Sequence, residues 1–175
     1  MTNTPTDEAP RWLDEEERRA WLGLVGIMRR LEHALDAQLR EEGLTHFEYG
    51  VMAALSESPQ RALRMSVLAL YAEGSLSRLS QVVARLERKG YAHRRPDPDD
   101  GRYTLATLTD EGYERIVSAA PGHVAEVRRL VFDPLTKAQV KQLAHIGQRV
   151  LHAIDPGGVG PRAMHAVDPG DSDRD

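Results

Sequence analysis

The stretch that decides the fold reads LALYAEGSLSRLSQVVARLERKGYAHRRPDPDDGRYTLATLTDEG, residues 68–112. At its centre, Leu76, Leu79, Val83 and Leu86 recur at the spacing of one face of an α-helix, which predicts a helix over 75–89. Gly90 follows directly, and a helix ends most readily on a residue that tolerates positive φ. Next come two short runs of extended character, YAHRR at 91–95 and RYTLATL at 102–108, around the turn-rich PDPDDG at 96–101. That order predicts a β-hairpin with a long, charged tip. Before it, residues 63–73 read as a short helix ended at Gly74. After it, Thr109 is placed to cap a helix reaching about residue 120.

Working outward, three capping boxes mark further helix starts: Asp14 with Glu17, Thr45 with Glu48, and Thr136 with Gln139. The first opens a long helix with Trp21, Leu24, Met28, Leu31, Leu35 and Leu39 in one stripe, ended at Gly43. The second opens a helix to about Leu55, stopped by Ser58-Pro59, with Leu44 and Tyr49 placed as a hydrophobic staple. Pro121-Gly122 is expected to kink or break the helix after Thr109, because proline removes a backbone donor and crowds the preceding turn. The last helix carries Val140, Leu143, Ile146 or Gly147, Val150 or Leu151, and Ile154 on its apolar stripe. The organisation expected is a flexible arm over 1–13, a single domain over 14–154 and a disordered tail over 155–175, where glycine and proline dominate.

Composition removes whole classes of function. A chain of 175 residues with 41% hydrophobic and 29% charged residues suits one globular domain with a real core. No cysteine is present, so disulfides, thiolate-ligated zinc, cysteine nucleophiles and thiol redox switches are excluded. No apolar run approaches membrane length, and the first residues lack the pattern of a secretion signal, so a cytoplasmic location is expected. The catalytic signatures GxSxG, HExxH and the P-loop are missing, and no enzyme activity is expected. His145 and His152 lie about 10 Å apart along the last helix, too far to share a metal. Neither a metal nor a cofactor is expected.

The net charge of −4 conceals segregation. Residues 1–60 balance at −6, residues 104–175 at −2, and residues 61–103 at +4. A basic middle between acidic flanks is the footprint of a sub-region facing a polyanion, although chance clustering on a solvated face would look the same. Helix, glycine turn, second helix and charged hairpin are the parts of a winged helix-turn-helix, which places its second helix in the major groove of DNA. With the leucines inward, the second helix would show Ser77, Arg78, Gln81 and Arg85, with Ser75 and Ser80 near its start. Hydroxyls and helix-start amides suit phosphates, while arginine and glutamine suit guanine and adenine edges. An ordinary amphipathic helix has a polar outside too; the hairpin beside this one favours the DNA reading. The fold class expected is mainly α with a small β-hairpin wing.

The run Leu68-Ala69, Ser75–Ser77, Val82–Tyr91, then Arg94-x-x-Asp97-Pro98-x-Asp100-x-Arg102 and Leu108-Thr109-x-x-Gly112 resembles the multiple-antibiotic-resistance regulator (MarR) family of bacterial transcription factors. The resemblance spans about residues 14–154 and is most specific over 68–112. It implies a homodimer built from the first and last helices, 14–42 and 110–154, that carries two winged lobes, 44–109, onto a palindromic site in double-stranded DNA. It also implies that Arg102 enters the minor groove and Asp100 buttresses it, with Arg94 beside them. Gly101 departs from the pattern, which usually has a cation there, and Val67 stands where a polar residue is common.

Regulators of this kind often bind small aromatic or phenolic acids between the dimer helices and the DNA-binding lobe. Trp21, Arg29, His33, Tyr49 and Met52 lie on the elements that would line such a cleft, although each also suits a structural or solvated role. The resulting expectation is a homodimeric repressor released by a small-molecule effector. The competing reading is a winged-helix module that binds a protein partner and no operator.

Overall fold

The computed structural model describes residues 10–71 and 75–156, and nothing of the Tyr71 side chain. Most of the expected arm, the helix end at Gly74 and nearly all of the expected tail lie outside these residues. Among the described residues, six α-helices and three short strands follow one another: α1 (Glu15–Glu41), α2 (His46–Ser56), β1 (Ala62–Arg64), α3 (Met65–Tyr71), α4 (Leu76–Arg88), β2 (Ala92–Pro96), β3 (Thr104–Leu108), α5 (Asp110–Val127) and α6 (Lys137–Ile154). All three capping boxes form, with the Asp14, Thr45 and Thr136 side chains each accepting from a first-turn amide. The fold is mainly α with a small antiparallel sheet, as expected.

Two glycines close helices in the same way. At Gly43 (φ 71°) and Gly90 (φ 76°) the chain enters the left-handed region. The amides of Leu44 and Tyr91 then reach back to the carbonyls of Leu39 and Leu86, at 3.0 and 2.9 Å. This double-bonded helix end satisfies carbonyls that would otherwise lack donors. It also turns the two following residues back toward the core, where Leu44 is fully buried.

The sheet differs from the hairpin expected. Its order is β1-β3-β2, all antiparallel, with Leu63 opposite Ala106 and Arg94 opposite Ala106 on the other side. The first residues of the expected helix over 63–73 are therefore strand, and the helix begins only at Met65. A three-residue strand is too short for its periodicity to be distinguished from a helix start. The reason for the strand is tertiary: β3 has an edge left open by β2, and Ala62–Arg64 covers it.

The core gathers Leu39, Leu44, Val51, Met52, Leu55, Leu68, Leu79, Val82, Val83, Leu86, Ala106 and Ile116. It joins the end of α1 to α2, α3, α4, the sheet and α5. Contrary to expectation, Leu76 takes no part: it is 54% exposed, and Val82 occupies the inward position instead. The break expected at Pro121 does not occur either, for α5 runs through it to Val127. Ala119, Ala120 and His123 are buried on both sides of the proline, so packing keeps the segment helical despite one missing backbone bond. The irregularity falls later, in a π-helical turn at Arg128–Phe132.

Candidate nucleic-acid interface

The placement of α4 follows from its two ends. Ser75 caps the start, its hydroxyl accepting from the Arg78 amide at 3.2 Å. The other end is tied to the start of α5: the Thr109 hydroxyl donates to the Gly90 carbonyl at 2.7 Å, and the Thr109 amide donates to the Tyr91 carbonyl at 3.0 Å. Gly112 lies so close to this junction that a Cβ there would stand 2.1 Å from the Tyr91 carbonyl oxygen. The Leu-Thr-x-x-Gly pattern is thus a joint between the second helix and the scaffold. Only a residue without a side chain lets the backbones approach this closely.

A buried carboxylate sets the flank of α4 that faces α1 and α2. Glu48, 1% exposed, accepts from Lys89 Nζ at 2.8 Å, Arg85 Nε at 3.1 Å and the Thr45 amide at 3.0 Å. Burial pushes its pKa up, but these three donors outweigh burial and hold it below the usual carboxylate range. Arg85 is therefore tethered at its Nε, with its side chain 40% exposed. Two turns earlier the Arg78 guanidinium lies over the Phe47 ring at 4.4 Å, a cation–π contact that fixes its direction while leaving it exposed.

On the opposite flank, Arg94 of β2 makes a forked pair with Glu87, its Nη2 2.6 Å from one oxygen, and its Nη1 donates to the Ser80 hydroxyl at 3.4 Å. Direct hydrogen bonding from Arg94 holds Glu87 ionised below its ordinary range. The wing is thereby locked to α4.

At the wing tip, Arg102 is 84% exposed and doubly bonded to Asp100, its Nε and Nη2 at 2.9 and 2.6 Å. Asp100 titrates low because of that pair. Asp97 beside it is buried, accepts from the Asp99 amide and from Arg64 Nε at 2.6 Å, and titrates low for those reasons in that order. Arg64 in turn lies over the Tyr103 ring at 4.4 Å. The aspartates organise the loop and orient two arginines.

Of the nine residues expected to meet DNA, Ser75, Ser77, Arg78 and Gln81 are exposed along α4, and Arg102 is exposed on the wing. Ser80, Arg85 and Asp100 are partly buried, Arg94 is exposed but paired with Glu87, and these four hold that surface in shape. The five residues named for a ligand do not come together. Met52 and Tyr49 belong to the core, while Trp21 and Arg29 are exposed on α1. Only His33 lines the cleft of about 460 Å³ between α1 and α4, with Glu32, Asp36, Thr45, Phe47, Arg78, Gln81, Val82 and Arg85.

With this geometry, comparison with known proteins is direct. A sequence profile of the MarR family matches residues 42–102, from the end of α1 to the wing arginine. The chain is similar to Sco3205, a MarR family transcriptional regulator from Streptomyces coelicolor solved in complex with DNA. The two are 45% identical with a TM-score of 0.81, over 86% of this chain and 95% of that one. The protein belongs to the MarR family.

It is likewise similar to AbsC of Streptomyces coelicolor, at 34% identity and a TM-score of 0.78, covering 83% of this chain and 98% of that one. CouR of Rhodococcus jostii, solved with p-coumaroyl-CoA, is 25% identical with a TM-score of 0.63, over 77% of this chain and 88% of its own. As a MarR-family member the chain is a DNA-binding transcriptional regulator. Its winged lobe contains three residues that sequence reasoning passed over. Glu48 was legible only as a cap, Phe47 as an apolar residue, and Glu87 as part of a charged run. What they do depends on partners 31 to 41 positions away for the first two, and on where the turn at Gly90 sends the first hairpin strand for the third.

Proposed function

We propose that this MarR-family regulator acts as a homodimeric repressor that grips a palindromic operator and is released by a small ligand. In this reading α4 lies in the major groove, with Arg78 and Gln81 on base edges and Ser75, Ser77 and Ser80 near phosphates. Arg102 enters the adjacent minor groove, where a narrow A·T-rich stretch strengthens the attraction for a guanidinium. The observation that carries it is the construction of the wing: an arginine left 84% exposed, yet held in a forked pair with Asp100, is oriented outward toward a partner.

Dimerisation is supported by the apolar faces of α1 and α6. Leu24, Ile27, Met28, Leu143, Ile146 and Ile154 are all exposed, and no residue of α6 is buried. A second copy is the occupant that would cover both helices and match two half-sites. For the effector, the cleft between α1 and α4 offers the Phe47 ring and two guanidiniums on one wall and Glu32 and Asp36 on the other. The ring and guanidiniums suit an aromatic or phenolic acid, with its carboxylate on the arginine wall and away from Glu32 and Asp36. Since Arg78, Gln81 and Arg85 also line it, a ligand there would redirect the side chains aimed at DNA.

Footprinting on an operator taken from the chain's own upstream region tests the reading. Two protected half-sites about 10 bp apart and related by two-fold symmetry are expected. Arg102→Ala should weaken binding by roughly 1–3 kcal/mol, most at A·T-rich flanks. An asymmetric footprint, or unchanged affinity in the variant, contradicts it; absence of any footprint with retained capture of a protein partner would favour a protein-interaction module instead.

A further inference from the structure

We propose that Leu76 is a base-reading residue whose side chain packs on the 5-methyl group of a thymine in the major groove, setting the preference at one position of each half-site. The inference rests on the DNA-binding reading above and adds to it a residue that the polar pattern of α4 could not suggest.

Leu76 is the first residue of α4, directly after the Ser75 cap, and 54% exposed. The core is complete without it, because Leu79, Val82, Val83 and Leu86 fill the inward face of the same helix. Among the exposed residues of α4, it is the one with no hydrogen-bonding group: its neighbours are Ser75, Ser77, Arg78, Gln81 and Arg88.

Helical spacing puts Leu76 one turn above Ser80, whose hydroxyl accepts from Arg94 of the wing. The other flank carries Arg78 over Phe47 and Arg85 on Glu48. Leu76 therefore occupies the N-terminal, wing-side corner of the exposed surface. Groove-entering helices of this kind present their N-terminal residues to the base edges. Thymine alone offers a methyl group there, which polar side chains do not recognise and an apolar one does. An exposed leucine with no role in the core, among arginine, glutamine and serine, has the chemistry for that one feature.

The test uses the full-length protein. A duplex is selected from a randomised library, then each thymine of the selected half-site is replaced in turn by deoxyuridine, which differs only in lacking the methyl. For the native protein, one such replacement made in both half-sites should raise Kd about fifteenfold, the equivalent of two buried methyl groups, one per half-site. Leu76→Ala should bind the thymine duplex more weakly, and show no further loss on the uracil duplex. If every uracil duplex binds as tightly as its parent, or if the alanine variant shows the same uracil loss, the inference about Leu76 fails while DNA binding stands. If the library yields no selected sequence, the DNA-binding reading itself fails.

Discussion

The winged lobe and the terminal helices are built on opposite terms. From α2 to β3 most apolar side chains, Leu70 and Leu76 apart, are buried in one cluster and most cations have a named carboxylate: Arg64 with Asp97, Arg85 and Lys89 with Glu48, Arg94 with Glu87, Arg102 with Asp100. In α6 and the first half of α1 the reverse holds, with Trp21, Leu24, Ile27, Met28, Ile146 and Ile154 exposed. Side chains that pack within the chain make the lobe, while those that face outward at helical spacing wait for a second surface. The difference separates what a single copy can hold from what we propose only two copies can.

The largest effect should come from placing a charge on the outward apolar face. Ile146→Arg is expected to convert the dimer to monomer in sedimentation experiments and to lower operator affinity by about two orders of magnitude, the loss of linked half-sites. The isolated chain should keep its helical content. A variant that remains dimeric would remove α6 from the proposed seam.

Within the lobe, Glu48→Gln keeps an acceptor for the Thr45 amide but leaves Lys89 and Arg85 without a counter-charge. Because both cations are a third or more exposed and can be hydrated, the cost should be about 1–2 kcal/mol rather than that of a fully buried pair, as denaturant unfolding would show. A change below about 0.5 kcal/mol would mean that the clamp contributes little to stability. Arg102→Ala, by contrast, should leave stability unchanged, because an exposed pair contributes little.

A smaller effect is expected where the two regions meet. His123 of α5 is buried against Tyr49 and His46, with ring centroids 4.4 and 5.8 Å away. Burial first, then the neighbouring His46, depress its pKa to about 4. His46 is lowered too, again by burial first, although Glu32 and Asp36 pull it the other way. Because the folded value lies below the unfolded one, the folded state takes up fewer protons than the unfolded chain as pH falls through this range. Stability is therefore complete above about pH 6.5 and should decline between there and about pH 4. His123→Gln should flatten that part of the stability–pH curve, as read by thermal unfolding. An unchanged curve would place the proton uptake elsewhere.

How much was legible follows the same division. Caps, the two helix-ending glycines and the hairpin were readable because each rests on local chemistry within a few residues. Gly112 was visible as part of a pattern, but the reason for it, the Tyr91 carbonyl against its Cα, appears only in three dimensions. The break allowed for at Pro121 is absent because burial on both sides overrides a local cost. The expected inward packing of Leu76 failed for a related reason: periodicity assigns a face, but the first turn of α4 extends past the core that would cover it. The strand at Ala62–Arg64 exists only because β3 offers an edge.

The central claim is that the exposed surface of α4 and the wing is an electrostatic and base-reading face for DNA. Its most direct test is operator affinity measured across salt concentration for the native protein and Arg102→Ala. Log K should fall linearly with log salt, with a slope of about −0.9 per phosphate neutralised, and the variant's slope should be shallower by about 1. Affinity that does not change with salt, or a slope the variant leaves untouched, would contradict the assignment of this face.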